Sequence, residues 1–152
     1  MPIVKDCITI ENAKIIFRNF SGAETRFNRA GCRNFGVIID DEEMANHLRE
    51  VGWNVRVLEP KEEGDKPTYY MQVTVSFDVI PPKVFLITRN RKTCLDEDTI
   101  GSLDYAEISN VDLVIRPYNW TLANKTGVKA YLKTMYVTIV EDEFAAKYDA
   151  LE

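Results

Sequence analysis

Lys129, Tyr131 and Lys133 alternate with Ala130 and Leu132. On an extended strand successive side chains point to opposite sides, so this spacing sets two ammonium groups and a phenol ring on one face. Such a face can hold phosphates with its cations while the ring stacks on a base. The interleaving recurs where Arg116, Tyr118 and Trp120 alternate, and again where Lys14, Ile16, Arg18 and Phe20 share a strand face, with Arg26 and Arg33 in the loop that follows. A ring stacks only on a base free of its double helix, so the pattern specifies a single strand rather than a duplex. The competing reading sends Phe17, Phe27, Phe35, Trp53 and Phe77 into the core and leaves the cations as a solvated surface.

Other chemistries have thinner support. Cys32 as a nucleophile would need His47, the sole histidine, as its base, and His47 falls mid-helix between Asn46 and Leu48, where a surface position accounts for it. Asp96, Glu97, Asp98, Asp104, Glu107 and Asp112 could supply the clustered oxygens a hard cation wants, as in a metal-dependent nuclease. Phosphate-loop, dinucleotide, zinc-protease and serine-hydrolase signatures are absent, so neither catalysis nor a cofactor or metal is expected. Cys7, Cys32 and Cys94 are odd in number and never form a C-x-x-C pair, which leaves no disulfide framework and no thiolate zinc site. Three reduced thiols, mostly buried, are expected.

Nineteen lysines and arginines against 24 acids give a net charge of −5, which by itself argues against a polyanionic partner. The charges are segregated, however. Residues 14–35, 81–95 and 113–140 each carry +4, the last two with no acid, while acids gather in residues 40–43, 59–65, 96–112 and 141–152. Binding follows local potential, so a chain built of such blocks can present one basic face despite an acidic total.

The 152 residues, 45% hydrophobic and 28% charged, have the length of one ordinary domain, and no internal repeat or long linker divides them. No apolar run reaches the roughly 20 residues of a membrane helix, and the first six residues lack the features of a secretion signal, so a cytosolic protein without a membrane partner is expected. Period-two alternation marks strands near 14–20, 35–39, 53–57, 69–79, 84–87, 111–115 and 128–140. Between the second and third, Asp40-Asp41-Glu42-Glu43 opens a helix with Met44, Leu48 and Val51 on one face and Gly52 as its stop. A helical turn is expected over 96–103 and a terminal helix over 141–151, with Phe144, Tyr148 and Leu151 on one stripe. Many strands with one early helix fit a small closed barrel or a sandwich better than an α/β architecture.

Several strings carry a resemblance: Phe17-Arg18-Asn19-Phe20-Ser21-Gly22, Thr25-Arg26-Phe27-Asn28, Arg33-Asn34-Phe35, Gly52-Trp53-Asn54-Val55, Leu103-Asp104, Asn110-Val111-Asp112-Leu113 and residues 127–133. Over residues 14–148 the chain resembles small bacteriophage single-stranded-DNA-binding proteins with an OB-type β-barrel. The resemblance implies a replication or recombination accessory protein that coats exposed phage DNA in the cytoplasm of the infected host cell, with phage or host replication proteins and further copies of itself as other partners. The best-known single-stranded-DNA-binding proteins end in a flexible acidic tail, from which the apolar stripe at 144–151 departs.

The combined expectation is one mainly β domain over residues 1–152: an OB-like five-stranded barrel with additional hairpin strands, one early helix and an acidic C-terminal helix at 141–152. It binds single-stranded DNA with little sequence preference. Lys14, Arg18, Arg26, Arg33, Lys129 and Lys133 are the phosphate candidates, with Arg89, Arg91 and Lys92 on a flexible loop that closes over the strand; Phe20, Tyr118, Trp120 and Tyr131 are the stacking candidates. The alternatives are a phage structural or protein-interaction β-sandwich that works through its acidic terminal helix, and the metal-dependent nuclease.

Overall fold

A computed structural model describes residues 4–26, 28–78, 80–89 and 91–140. The protein is mainly β. Its described strands are β1 (Ile8–Ile10), β2 (Ile15–Asn19), β3 (Arg33–Ile39), β4 (Val55–Leu58), β5 (Thr68–Val75), β6 (Lys83–Thr88), β7 (Arg91–Leu95), β8 (Ile108–Leu122) and β9 (Lys125–Ile139), with helix α1 (Glu42–Val51) and a 3-10 turn at Ile100–Asp104. All nine strands belong to one sheet rather than two, ordered β1-β8-β9-β5-β3-β2, with β4 on β5 and the β6–β7 hairpin on β9. The sheet is open: among the described residues no pairing joins β1 to β2, so the closed five-stranded barrel is not what the hydrogen bonds draw. The terminal helix expected at 141–152 lies outside the described residues.

Alternation decides which faces are buried. Phe35, Val37 and Ile39 of β3 point to the same side as Met71, Val73 and Val75 of β5 and Val128, Ala130 and Leu132 of β9, and together they form the core. Helix α1 starts where Asp41 accepts a hydrogen bond from the Glu43 amide at 2.9 Å. It ends at Gly52, whose φ of +124° favours glycine and whose N–H reaches the Leu48 and Arg49 carbonyls. Its buried residues are Ala45 and Leu48, whereas Val51 is exposed. Of the expected stripe, Leu48 is buried and Met44 packs partly buried against the core, so only Val51, at the end of the helix, departs from it.

Of the three register shifts among the described strands, two reset the alternation at residues expected on the binding face. In β2, Ile16 pairs with Gly36 and Asn19 with Asn34, so Phe17 and Arg18 together oppose only Phe35. Phe17 takes φ +51° to make this kink. Every side chain beyond it changes side, because strand faces have a period of two. Phe20, expected on an open face beside Lys14, Ile16 and Arg18, is consequently fully buried and stacked on Phe35 at 5.1 Å. In β9, Ile115 pairs with Leu132 and Val114 with Thr134, which leaves Lys133 as the extra residue.

The long β8–β9 hairpin turns at Ala123 and Asn124, both with positive φ, and Leu122 pairs with Lys125. This two-residue turn matches the right-handed twist of its strands. Gly127 is a strand residue opposite Trp120.

Candidate nucleic-acid interface

The outward side of the sheet carries a row of cross-strand partners: Arg116 opposite Tyr131, Tyr131 opposite Thr74, Thr74 opposite Asn34, and Asn34 opposite Asn19. Over this row opens a groove of about 820 Å³. Tyr131, Thr74, Gln72 and Asn34 line it from the sheet, Trp120 and Lys129 from the β8–β9 hairpin, Arg29 from the loop before β3 and Arg33 from the first position of β3. Arg56 of β4 and Phe77 after β5 complete a wall in which four cations outnumber the two acids, Asp78 and Glu97.

Tyr131 is the best-held ring of the groove. The Arg116 guanidinium lies 4.6 Å and the Lys129 ammonium 5.2 Å from its centroid, while Tyr118 meets it edge-on at 5.7 Å. Cations against the ring and a perpendicular neighbour fix its orientation before any ligand arrives. Arg33 spans 5.7 Å to the Phe77 ring and 3.4 Å to the Glu97 carboxylate. The loop that carries Arg29 and leads into Arg33 is tied by asparagines. Asn19 bonds both the N–H and the carbonyl of Ala23, and Asn28 donates to the carbonyls of Ala23, Arg29 and Cys32 while accepting from the Asn34 amide.

Of the residues expected from sequence, the groove gathers Arg33, Trp120, Lys129 and Tyr131, with Tyr118 buttressing Tyr131. The others are elsewhere. Phe20 is core, so it cannot stack on a base. Arg18 donates through Nη1 to the carbonyls of Leu103 and Ala106 at 2.9 and 2.7 Å, which occupies that nitrogen in securing the 3-10 turn. Lys14, Arg26 and Lys133 are exposed and line neither this groove nor the adjoining one. Arg91 and Lys92 are not on a flexible loop: they belong to β7, where Arg91 pairs with Thr88 and Lys92 with Ile87, and Lys92 lies 5.0 Å from the Phe85 ring. Arg89 lies in the turn between β6 and β7, and none of the three lines the groove.

Sequence reasoning chose none of Arg29, Arg56 and Phe77 as contacts. Arg56 had a signal, since it alternates with Val55 and Val57, but a single arginine between valines is a common exposed position. Three of the six carboxylates weighed as metal ligands are engaged by the backbone. Asp104 accepts from the Phe20 and Ser21 amides, Asp112 from the Asn12 amide, and Asp96 from the Asp98 and Thr99 amides. The Thr99 hydroxyl also donates to Asp96, and these hydrogen bonds, the hydroxyl's first, hold its carboxyl below the ordinary value of 3.8. Among the described residues no group of three or more histidine, cysteine or carboxylate side chains is placed to hold a metal. All three cysteines are exposed rather than buried, Cys32 on the groove rim. No helix among the described residues is long and apolar enough to cross a membrane.

A mainly β sheet with a basic, ring-lined groove defines a protein that holds an extended anionic chain. The chain matches the family described as "Putative phage ssDNA-binding domain" over residues 3–152, and it belongs to that family. No curated protein sequence matches it. Among solved structures it is similar to the single-stranded DNA-binding protein of bacteriophage Enc34 in complex with ssDNA, at 12% identity and TM-score 0.56, covering 91% of this chain and 89% of that one. The same Enc34 protein in a separate structure aligns at 10% identity and TM-score 0.56, covering 96% and 90%. A single-stranded DNA binding protein encoded by bacteriophage T7, gp2.5, aligns at 12% identity and TM-score 0.43 over 91% and 89%.

Proposed function

We propose that the groove over β5, β3 and β9 binds single-stranded DNA with little sequence preference, and that the protein shields strands exposed during phage replication or recombination. The observation that carries this reading is Tyr131, which lines the groove with the Lys129 and Arg116 cations against its ring. Every base has a face that can stack on such a ring, so the contact favours free bases without choosing among them. Arg29, Arg33 and Arg56 are spaced along the same groove for the phosphates between bases. Family membership and the ssDNA complex of the Enc34 protein support the same ligand.

The groove fits an OB-like architecture, in which the ligand crosses one sheet face and is flanked by loops. The role is one of binding rather than catalysis, carried out in the cytoplasm of the infected cell. Titration with matched single-stranded and duplex oligonucleotides tests it. A preference for the single strand of at least about tenfold, or about 1.4 kcal/mol, is expected. Affinity should also fall with salt at a log–log slope of about −0.7 per phosphate neutralised. Equal affinity for both forms, or a flat salt response, would reject the reading.

A further inference from the structure

Beside the main groove lies a second depression of about 520 Å³, and the two share Asn28, Asn34, Arg56 and Gln72 in their walls. The adjoining depression is walled by Phe17, Tyr70 and Tyr105. Each of these rings is placed in a way that core packing does not explain. Phe17 is 60% exposed although its backbone holds φ +51°, an uncommon conformation for a bulky residue. Tyr105 is 93% exposed, directly after the 3-10 turn that Arg18 secures. Tyr70 meets Phe17 edge-on, with centroids 5.6 Å apart and planes at 70°, so the two rings form a corner in the wall of the depression. Gly36 gives Tyr70 its place, since a Cβ there would come within 3.3 Å of the Tyr70 ring and 3.0 Å of Ile16.

The charge of this depression suits the same ligand. Arg56 is the cross-strand partner of Tyr70 and stands where the two depressions meet. Asp104 is the acid in its wall, and both of its carboxylate oxygens already accept backbone hydrogen bonds from Phe20 and Ser21. The row Tyr131, Thr74, Asn34, Asn19 runs from one depression to the other across three strand spacings, roughly 14–15 Å.

We propose that Phe17, Tyr70 and Tyr105 form a second nucleobase subsite, joined to the first through Arg56, and that one DNA strand crosses the sheet from Tyr131 on β9 to Phe17 on β2. This rests on the single-strand reading above and adds the strand's path and a second set of base contacts. A length series tests it, with oligothymidylates of about 4 and about 12 nucleotides, the range of site sizes of OB-type domains.

Tyr105→Ala and Phe17→Ala should each weaken binding of the longer oligonucleotide by at least about fivefold, the lower end of base–aromatic stacking. Binding of the shorter one, which the first groove accommodates alone, should change less than about twofold. Tyr105 is so exposed that its truncation leaves the fold intact, so it decides the matter if Phe17→Ala proves unstable. Unchanged affinity of Tyr105→Ala for the longer oligonucleotide, with Tyr131→Ala impaired, would overturn the second subsite and leave the first standing. Equal losses on both lengths would overturn the assignment of these rings to a separate subsite. A wild-type protein that binds neither oligonucleotide would overturn both readings together.

Discussion

Trp120 lies so close over Gly127 that a Cβ at residue 127 would come within 2.5 Å of the indole Cζ2. The two are cross-strand partners near the tip of the β8–β9 hairpin, and the indole is 38% exposed on the groove wall. Gly127 therefore sets where the ring lies, and Gly127→Ala should push the indole away. In a Trp53→Phe background, where Trp120 is the one remaining tryptophan, the expected result is a shifted emission maximum and single-strand affinity reduced about three- to tenfold. Unchanged emission and affinity would show that the ring adapts to the methyl group without loss.

Charge and stacking should separate within β9. Tyr131→Ala is expected to cost about 1–3 kcal/mol of single-strand binding and leave the salt slope unaltered. Lys129→Ala should make the slope shallower by about 0.7, the share of one phosphate. Lys133→Ala should leave both nearly unchanged, because Lys133 is the extra residue of the β9 bulge and lies outside the groove. Salt titrations of the three variants by fluorescence quenching provide the comparison.

Phe20 should behave as a core residue. It is fully buried against Phe35, and Phe20→Ala is expected to lower stability by about 3–5 kcal/mol. At this chain length that is roughly 2–4 °C of melting temperature per kcal/mol. Single-strand affinity of the folded fraction, measured well below the transition, should match the wild type. A specific binding loss without a thermal shift would place the ring on the ligand face after all.

Asp96 makes stability sensitive to acid. Its carboxyl is held below 3.8 in the folded protein by Thr99 and Asp98, so the stabilisation is complete above that value and is lost as pH falls through the lower, folded-state one. Asp96→Asn should lower the urea midpoint at neutral pH and flatten its decline as the pH falls below 3.8. An Asp96→Asn midpoint that falls as steeply with acid as the wild type's would assign the acid sensitivity to other groups.

What the sequence determined by itself is the local order. The alternation of Val128, Ala130 and Leu132 with Lys129 and Tyr131 specifies a strand with a buried and an open face, because the pleat has a period of two wherever it is uninterrupted. Asp41 and Gly52 bound the helix because capping needs only neighbouring backbone groups. Residues 14–20 show where such reading stops. Their alternation is as regular as that of β9, yet the bulge at Phe17 and Arg18 sends Phe20 inward and leaves Phe17 outside. A bulge is a property of pairing with a second strand and is not written in the spacing of the first. The same holds for the groove. Arg33, Arg56, Phe77 and Tyr131 come from distant parts of the chain, and only the order β9-β5-β3, with β4 on β5, brings them to one surface. Likewise, the basic block at 81–95 is equivalent to the other two in sequence, and its pairing beyond β5 on the same edge of β9, at Thr134–Thr138, keeps Arg91 and Lys92 out of the groove. Local sequence sets the face on which a side chain points, whereas long-range strand pairing sets which of those faces meet.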